Sequence, residues 1–142
     1  MKRCITFVLA ALVSLPLSAQ DYPNMVGVWK GQVRQMSSGE PDGGQVTRGG
    51  GVISDVVIKL TIEHQDNEVF IGSSRNSAMS KDQRSNPVWG AIRSNGEEAL
   101  FIAGTGGRGN IWFVNASKFE FCLTGLTDNV ISAYCGVLEK EN

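Results

Sequence analysis

Few residues in this chain are of the types that perform acid–base, metal or thiol chemistry, and their spacing is informative mainly for what it excludes. His64 is the only histidine. With Asp66 and Glu68 it forms a short polar cluster, but a zinc site on His64 would need further carboxylate or thiolate ligands from elsewhere. The cluster falls where a strand ends in a turn, a usual place for solvated polar side chains. No nucleophile elbow accompanies His64, so Ser-His-Asp chemistry has no frame. Paired carboxylates that converge from distant strands would suit glycoside hydrolysis. Yet Glu120 and Glu139 alternate with apolar neighbours and read as solvent-facing, and Glu97 and Glu98 adjoin a turn. The glycine run Gly49 to Gly51 lacks the spacing, lysine and following helix of a phosphate-binding loop. No catalytic residue, metal ligand or cofactor site is therefore expected.

The cysteines carry a structural message instead. Residues 119–140 read as two alternating strands joined at Asp128-Asn129. A two-residue turn there places Thr127 opposite Val130 and, further down the ladder, Cys122 opposite Cys135 in a non-hydrogen-bonded pair. The Cα atoms of such a pair approach to about 4.5 Å, near the short edge of the disulfide range. A bulge or a longer loop would shift the register and separate the two thiols.

Compartment favours the bond. Lys2 and Arg3 start the chain, an apolar run follows from Ile5 to Leu17, and Leu17-Ser18-Ala19 offers a small residue before a cut ahead of Gln20. These are the parts of a signal peptide over residues 1–19, which would remove Cys4 and direct residues 20–142 to the periplasm or outside the cell. An oxidising space makes the Cys122–Cys135 disulfide the expected state. Loss of Lys2 and Arg3 would change the basic count from 13 to 11 against 14 acidic residues, and the formal charge from -1 to -3. That acidity, without a Lys/Arg cluster, gives no case for nucleic acid. No second apolar span suggests a membrane segment, and the remaining length suits one domain.

Eight segments read as strands: 26–34, 52–64, 69–74, 88–93, 99–103, 110–114, 118–126 and 130–139. The clearest puts Val56, Ile58, Leu60 and Ile62 on one face and Val57, Lys59, Thr61 and Glu63 on the other, the period of a half-buried strand. Asn95-Gly96 is the strongest local turn signal. Asn115-Ala116-Ser117 is a second turn and a formal glycosylation acceptor, read as a chance match. No stretch suits a helical crossover, so successive strands should form a meander. The expected fold is an all-β, antiparallel, eight-stranded up-and-down barrel, with a two-sheet sandwich as its competitor. Residues 37–51 and 75–86 read as open connections.

Gly27-Val28-Trp29, at the start of the first strand, resembles the Gly-x-Trp signature of the calycins, which include lipocalins, fatty-acid-binding proteins and avidins. The resemblance implies that Trp29 packs across the closed end of the barrel. The usual C-terminal lipocalin helix has no counterpart before Asn142, and Lys30 and Gly31 replace the polar residues with which avidins hold biotin. Val26 to Gly31 and Cys135 to Leu138 also resemble the opening and closing motifs of small exported bacterial barrel proteins of unassigned activity.

The implied function is non-enzymatic binding. Trp29, Trp89, Trp112, Phe121 and Tyr134 are the candidates to line an interior that holds a small apolar molecule. Arg75, Lys81, Arg84 and Arg108 are candidates for a positive rim that meets an exported protein partner or an anionic ligand. A secreted hydrolase inhibitor and an enzyme with an unrecognised carboxylate site are the alternatives.

Overall fold

The computed structural model describes residues 21–38, 45–46, 51–104, 106–127 and 130–141. The expected signal peptide, Cys4, most of the 37–51 connection and the Asp128-Asn129 turn lie outside the described residues. The strands are β1 (Gly27–Ser38), β2 (Gln45–Val46), β3 (Gly51–Asp66), β4 (Val69–Asn76) and β5 (Asn86–Ile92). They continue with β6 (Glu98–Ala103), β7 (Arg108–Asn115), β8 (Lys118–Thr127) and β9 (Val130–Lys140). No helix occurs among the described residues.

Every neighbouring pair is antiparallel, and β1 pairs with both β9 and β3. That double pairing closes the sheet and decides for a barrel over a sandwich. Eight strands form the wall. The two-residue β2, which falls inside the expected open connection, pairs only with Val52 and Ile53 of β3. It covers the β3 edge beyond Ile58, where β4 pairing stops at Asn76. Covering this stretch removes unpaired backbone groups from an otherwise edgeless sheet.

Alternation fixes the core. Val56, Ile58, Leu60 and Ile62 are all buried, as their period requires. They meet Trp29, Val33, Phe70, Phe101, Phe119, Phe121 and Leu138 from the other strands. The wall is tightly spaced where rings cross it: a Cβ on Gly90 would overlap the Phe70 ring, so only glycine leaves room for that ring.

One end of the barrel is plugged. Trp29 is 1% exposed and packs against Phe119 with ring centroids 4.7 Å apart and planes tilted by 47°, while its Nε1–H donates to the Met25 carbonyl at 2.7 Å. The Lys140 ammonium lies 5.2 Å over the same indole, a distance at which the ring face attracts a cation. A β-bulge between Ile62 and His64 shifts the β3 register so that Gln65, opposite Phe70, turns inward. Gln65 then accepts from the Met25 backbone N–H at 2.7 Å and donates to the Pro23 carbonyl at 3.1 Å, so the lead segment lies across the barrel end. The expected place of Trp29 at a closed end agrees with this geometry.

The turns follow local chemistry. Asn67 has φ 51°, within the left-handed region that asparagine tolerates, in the two-residue link from β3 to β4. Gly96, at φ 70°, closes the β5–β6 turn with a backbone N–H to the Arg93 carbonyl at 2.9 Å. Cys122 stands opposite Cys135, as the hairpin register requires, and the two form a disulfide with Cα atoms 4.1 Å apart. The same ladder pairs Phe121 with Gly136 and Leu123 with Tyr134.

Candidate functional site

The half of the barrel away from Trp29 is not filled. A cavity of about 40 Å³ lies among Phe101, Phe121, Leu123, Tyr134 and Leu138. It runs into a mouth of about 200 Å³ lined by Gln35, Asn76, Gln83, Asn86 and Ser132. Ser74, Asn76, Asn86, Leu123 and Tyr134 border both spaces. The two spaces adjoin, so the lumen narrows like a funnel from a mouth of mixed polarity to a mainly apolar floor.

Strand parity builds the collar. Gln35 continues the inward row of Trp29 and Val33 on β1, and Ser74 and Asn76 continue that of Phe70 on β4. Where the row turns from apolar to polar, the core ends and the mouth begins. Among the described residues, Gln35 Oε1 is buried and meets no hydrogen-bond partner. An orphaned acceptor of this kind is costly and calls for a specific explanation. Gln35 and Tyr134 are register partners across β1 and β9. Burial raises the Tyr134 pKa above its ordinary 10.0, so its hydroxyl stays neutral at physiological pH and can donate as well as accept.

The 77–85 segment borders the mouth and is held to the wall. Arg75 donates to the carbonyls of Gln83 at 2.9 Å and Ser80 at 2.8 Å. Asn76 Oδ1 accepts from the backbone of Ala78 and Met79, and Val57 N–H donates to Ser77 Oγ. Among the described residues, no carboxylate lines either part of the funnel.

Of the aromatic candidates, Phe121 and Tyr134 line the cavity, 5.8 Å apart between ring centroids. Trp29 belongs to the plug. Trp89 and Trp112 require correction: each neighbours an inward residue, Val88 and Ile111, so each points outward, 49% and 37% exposed. Neither lines the interior. The four candidate rim cations do not share one place. Arg75 borders the cavity and donates to backbone carbonyls, while Arg108 stands on the outer wall opposite Ile102 and Thr124. Lys81 and Arg84 are exposed in the 77–85 segment. His64 is exposed on the outer side opposite Ile71, and Glu120 and Glu139 are exposed as expected.

Gln35, Ser74, Asn76 and Asn86 were not among the candidate binding residues. Their signal was available in the alternation: a strand that continues past its last buried residue with polar side chains at the inward positions marks a wet lumen. Gln35, Asn76 and Asn86 lie just past the expected strand limits at 34, 74 and 88, in strands that extend further at those ends.

No protein-family model matches the chain, and no curated protein matches it. Solved structures resemble it in fold. A DUF3598-family protein of unknown function from Nostoc punctiforme has 12% identity and a TM-score of 0.51, over 82% of this chain and 47% of that one. EF1p2_mFAP2b bound to DFHBI has 12% identity and a TM-score of 0.50, over 82% and 93% of the two chains. The S-type phycobiliprotein lyase CPES from Guillardia theta has 12% identity and a TM-score of 0.49, over 83% and 89%. At such identities the likeness is one of architecture alone, a closed antiparallel barrel.

Proposed function

We propose that the protein is an exported, non-enzymatic binder of a small, neutral, amphipathic molecule in the open half of its barrel. The observation that carries this reading is the buried Gln35 Oε1, which meets no partner among the described residues and sits at the junction of an apolar floor and a more polar collar. A ligand that places an N–H or O–H against this acceptor and rests its apolar end on the floor formed by Phe121, Leu123 and Tyr134 satisfies both halves of the funnel. Size limits the ligand. A floor of about 40 Å³ takes a short alkyl branch, and the bulk of the molecule must sit in the mouth of about 200 Å³. Charge limits it as well: Tyr134 is neutral, no carboxylate lines the funnel among the described residues, and the Arg75 guanidinium, which borders the cavity and stays cationic, already donates from both terminal nitrogens to backbone carbonyls. The fold admits such use: a barrel of similar architecture is known bound to DFHBI. The disulfide on the outer wall fits an oxidising, periplasmic or extracellular location, reached through removal of residues 1–19.

Native mass spectrometry of gently purified protein, with solvent extraction of what it carries, tests the proposal. A stoichiometric small molecule is expected, and Ser74→Phe, which fills the mouth, should abolish it while the barrel stays folded. A bare mass from every preparation, or a molecule retained by the filled variant, would overturn the reading.

A further inference from the structure

The outer wall is divided. On β1, β3, β8 and β9 it carries Lys30, Arg34, Asp55, Lys59, Glu120 and Glu139, with ion pairs such as Arg34–Asp55 at 3.1 Å and Lys118–Glu139 at 2.9 Å. On β4, β5 and β6 two rows of outward residues run across the strands. Ile71, Trp89 and Ile102 are successive register partners, and so are Val69, Ala91 and Leu100. All six face solvent, the five larger ones 46% to 54% exposed. Together they present on the order of 400 Å² of contiguous apolar surface, at the size where such patches are commonly functional.

Polar groups frame the patch. The Arg93–Glu98 pair, 2.9 Å apart, closes one end. Along one flank Leu100 and Ile102 continue into an outer groove of about 450 Å³ walled by Arg108, Asn110 and Thr124. The face therefore offers a projecting ring, Trp89, and an adjacent hollow with an apolar floor. It carries no charge within the two rows, so an ionic partner has nothing to recognise. A bilayer is also a poor match, because a spanning barrel needs an apolar band around its whole circumference, and charged residues interrupt it on four strands.

We propose that this face is the interface between two copies of the chain, packed about a two-fold axis with Trp89 of each copy seated in the groove beside Ile102 of the other. A two-fold contact requires one patch to be its own complement, and a projection next to a hollow on the same sheet meets that condition. The area agrees. Two such patches with their polar frames cover roughly 1,000 Å² in total, the lower limit of a specific interface, so the dimer is of the weak, concentration-dependent kind. The inference is independent of the lumen, which opens at the end of the barrel and not through this wall.

Sedimentation equilibrium of the purified chain tests it. Reversible dimerisation in the micromolar range is expected. Trp89→Glu should weaken association at least tenfold, with an unchanged circular dichroism spectrum. Met36→Lys, an exposed substitution on β1, should leave association as it was. Ile102→Lys and Leu100→Lys provide the same reading if Trp89→Glu fails to fold. Hydroxyl-radical footprinting of the unaltered protein needs no variant: labelling of Trp89 should fall at dimeric concentrations while that of Met36 does not. A monomer at every concentration, a dimer that survives all three patch substitutions, constant Trp89 labelling, or stable occupation of the face by a different protein would each overturn the proposal.

Discussion

Gln35 and Tyr134 stand directly opposite each other where β1 meets β9, at the line where the barrel interior changes from apolar to polar. One contributes a buried acceptor that meets no partner among the described residues, the other a hydroxyl that burial keeps protonated. A pair of this kind does little for a packed core. It is suited to meeting a third group.

The separation of stability from binding follows from that pair. Gln35→Leu removes the orphaned acceptor, so thermal or chemical denaturation should show the variant as stable as the parent or more stable by about 1 kcal/mol. The molecule recovered from the lumen should bind it about tenfold more weakly by calorimetry, the worth of one hydrogen bond. A variant that loses stability and keeps its affinity would assign Gln35 to the scaffold.

Tyr134 gives a pH dependence of known sign. Its folded pKa lies above the unfolded value of 10.0 because burial disfavours the phenolate. The unfolded chain therefore loses this proton first as pH rises, and folded stability, fully present below pH 10, falls above it. Tyr134→Phe should flatten that part of the stability profile. Tyrosinate absorbance should show one group titrating late in the folded protein and normally in denaturant.

At the plugged end the test concerns Gln65. Gln65→Leu leaves the buried Met25 N–H without its acceptor and releases the Pro23 carbonyl. A loss of about 1 to 3 kcal/mol is expected in denaturant titration. Limited proteolysis should cut the 21–26 lead faster than in the parent protein. Asp66→Ala, one position along and exposed, should change neither.

Reduction of Cys122–Cys135 addresses the last hairpin. The bond closes a short loop, 13 residues in sequence separation, worth roughly 2 to 3 kcal/mol of unfolded-state entropy. The melting temperature should fall by several degrees after reduction. Cys135 is exposed on the outer wall, so a mild reductant reaches it without unfolding, and an unchanged midpoint after confirmed reduction would remove the latch from the account.

Local rules made much of this fold legible. Period-two alternation marked β3 and the closing hairpin, β-branched and aromatic runs between turn residues marked the other wall strands, Asn95-Gly96 located its turn, and the hairpin register placed Cys122 against Cys135, because each depends only on neighbours along the chain or across one turn. Gly-x-Trp pointed to a plug at Trp29. Alternation alone does not say which face is inside when both are apolar. β6 reads Ala-Leu-Phe-Ile-Ala between Ala99 and Ala103, and Trp89 follows Val88. Closure of β1 onto β3 chose the parity, sending Phe101 and Val88 inward and Trp89, Leu100 and Ile102 to the surface. Closure also gathered Gln35, Ser74, Asn86 and Tyr134, which are far apart in the chain, around one mouth, and the β3 bulge turned Gln65 toward Met25. Those placements depend on contacts between distant strands, which tertiary pairing alone supplies.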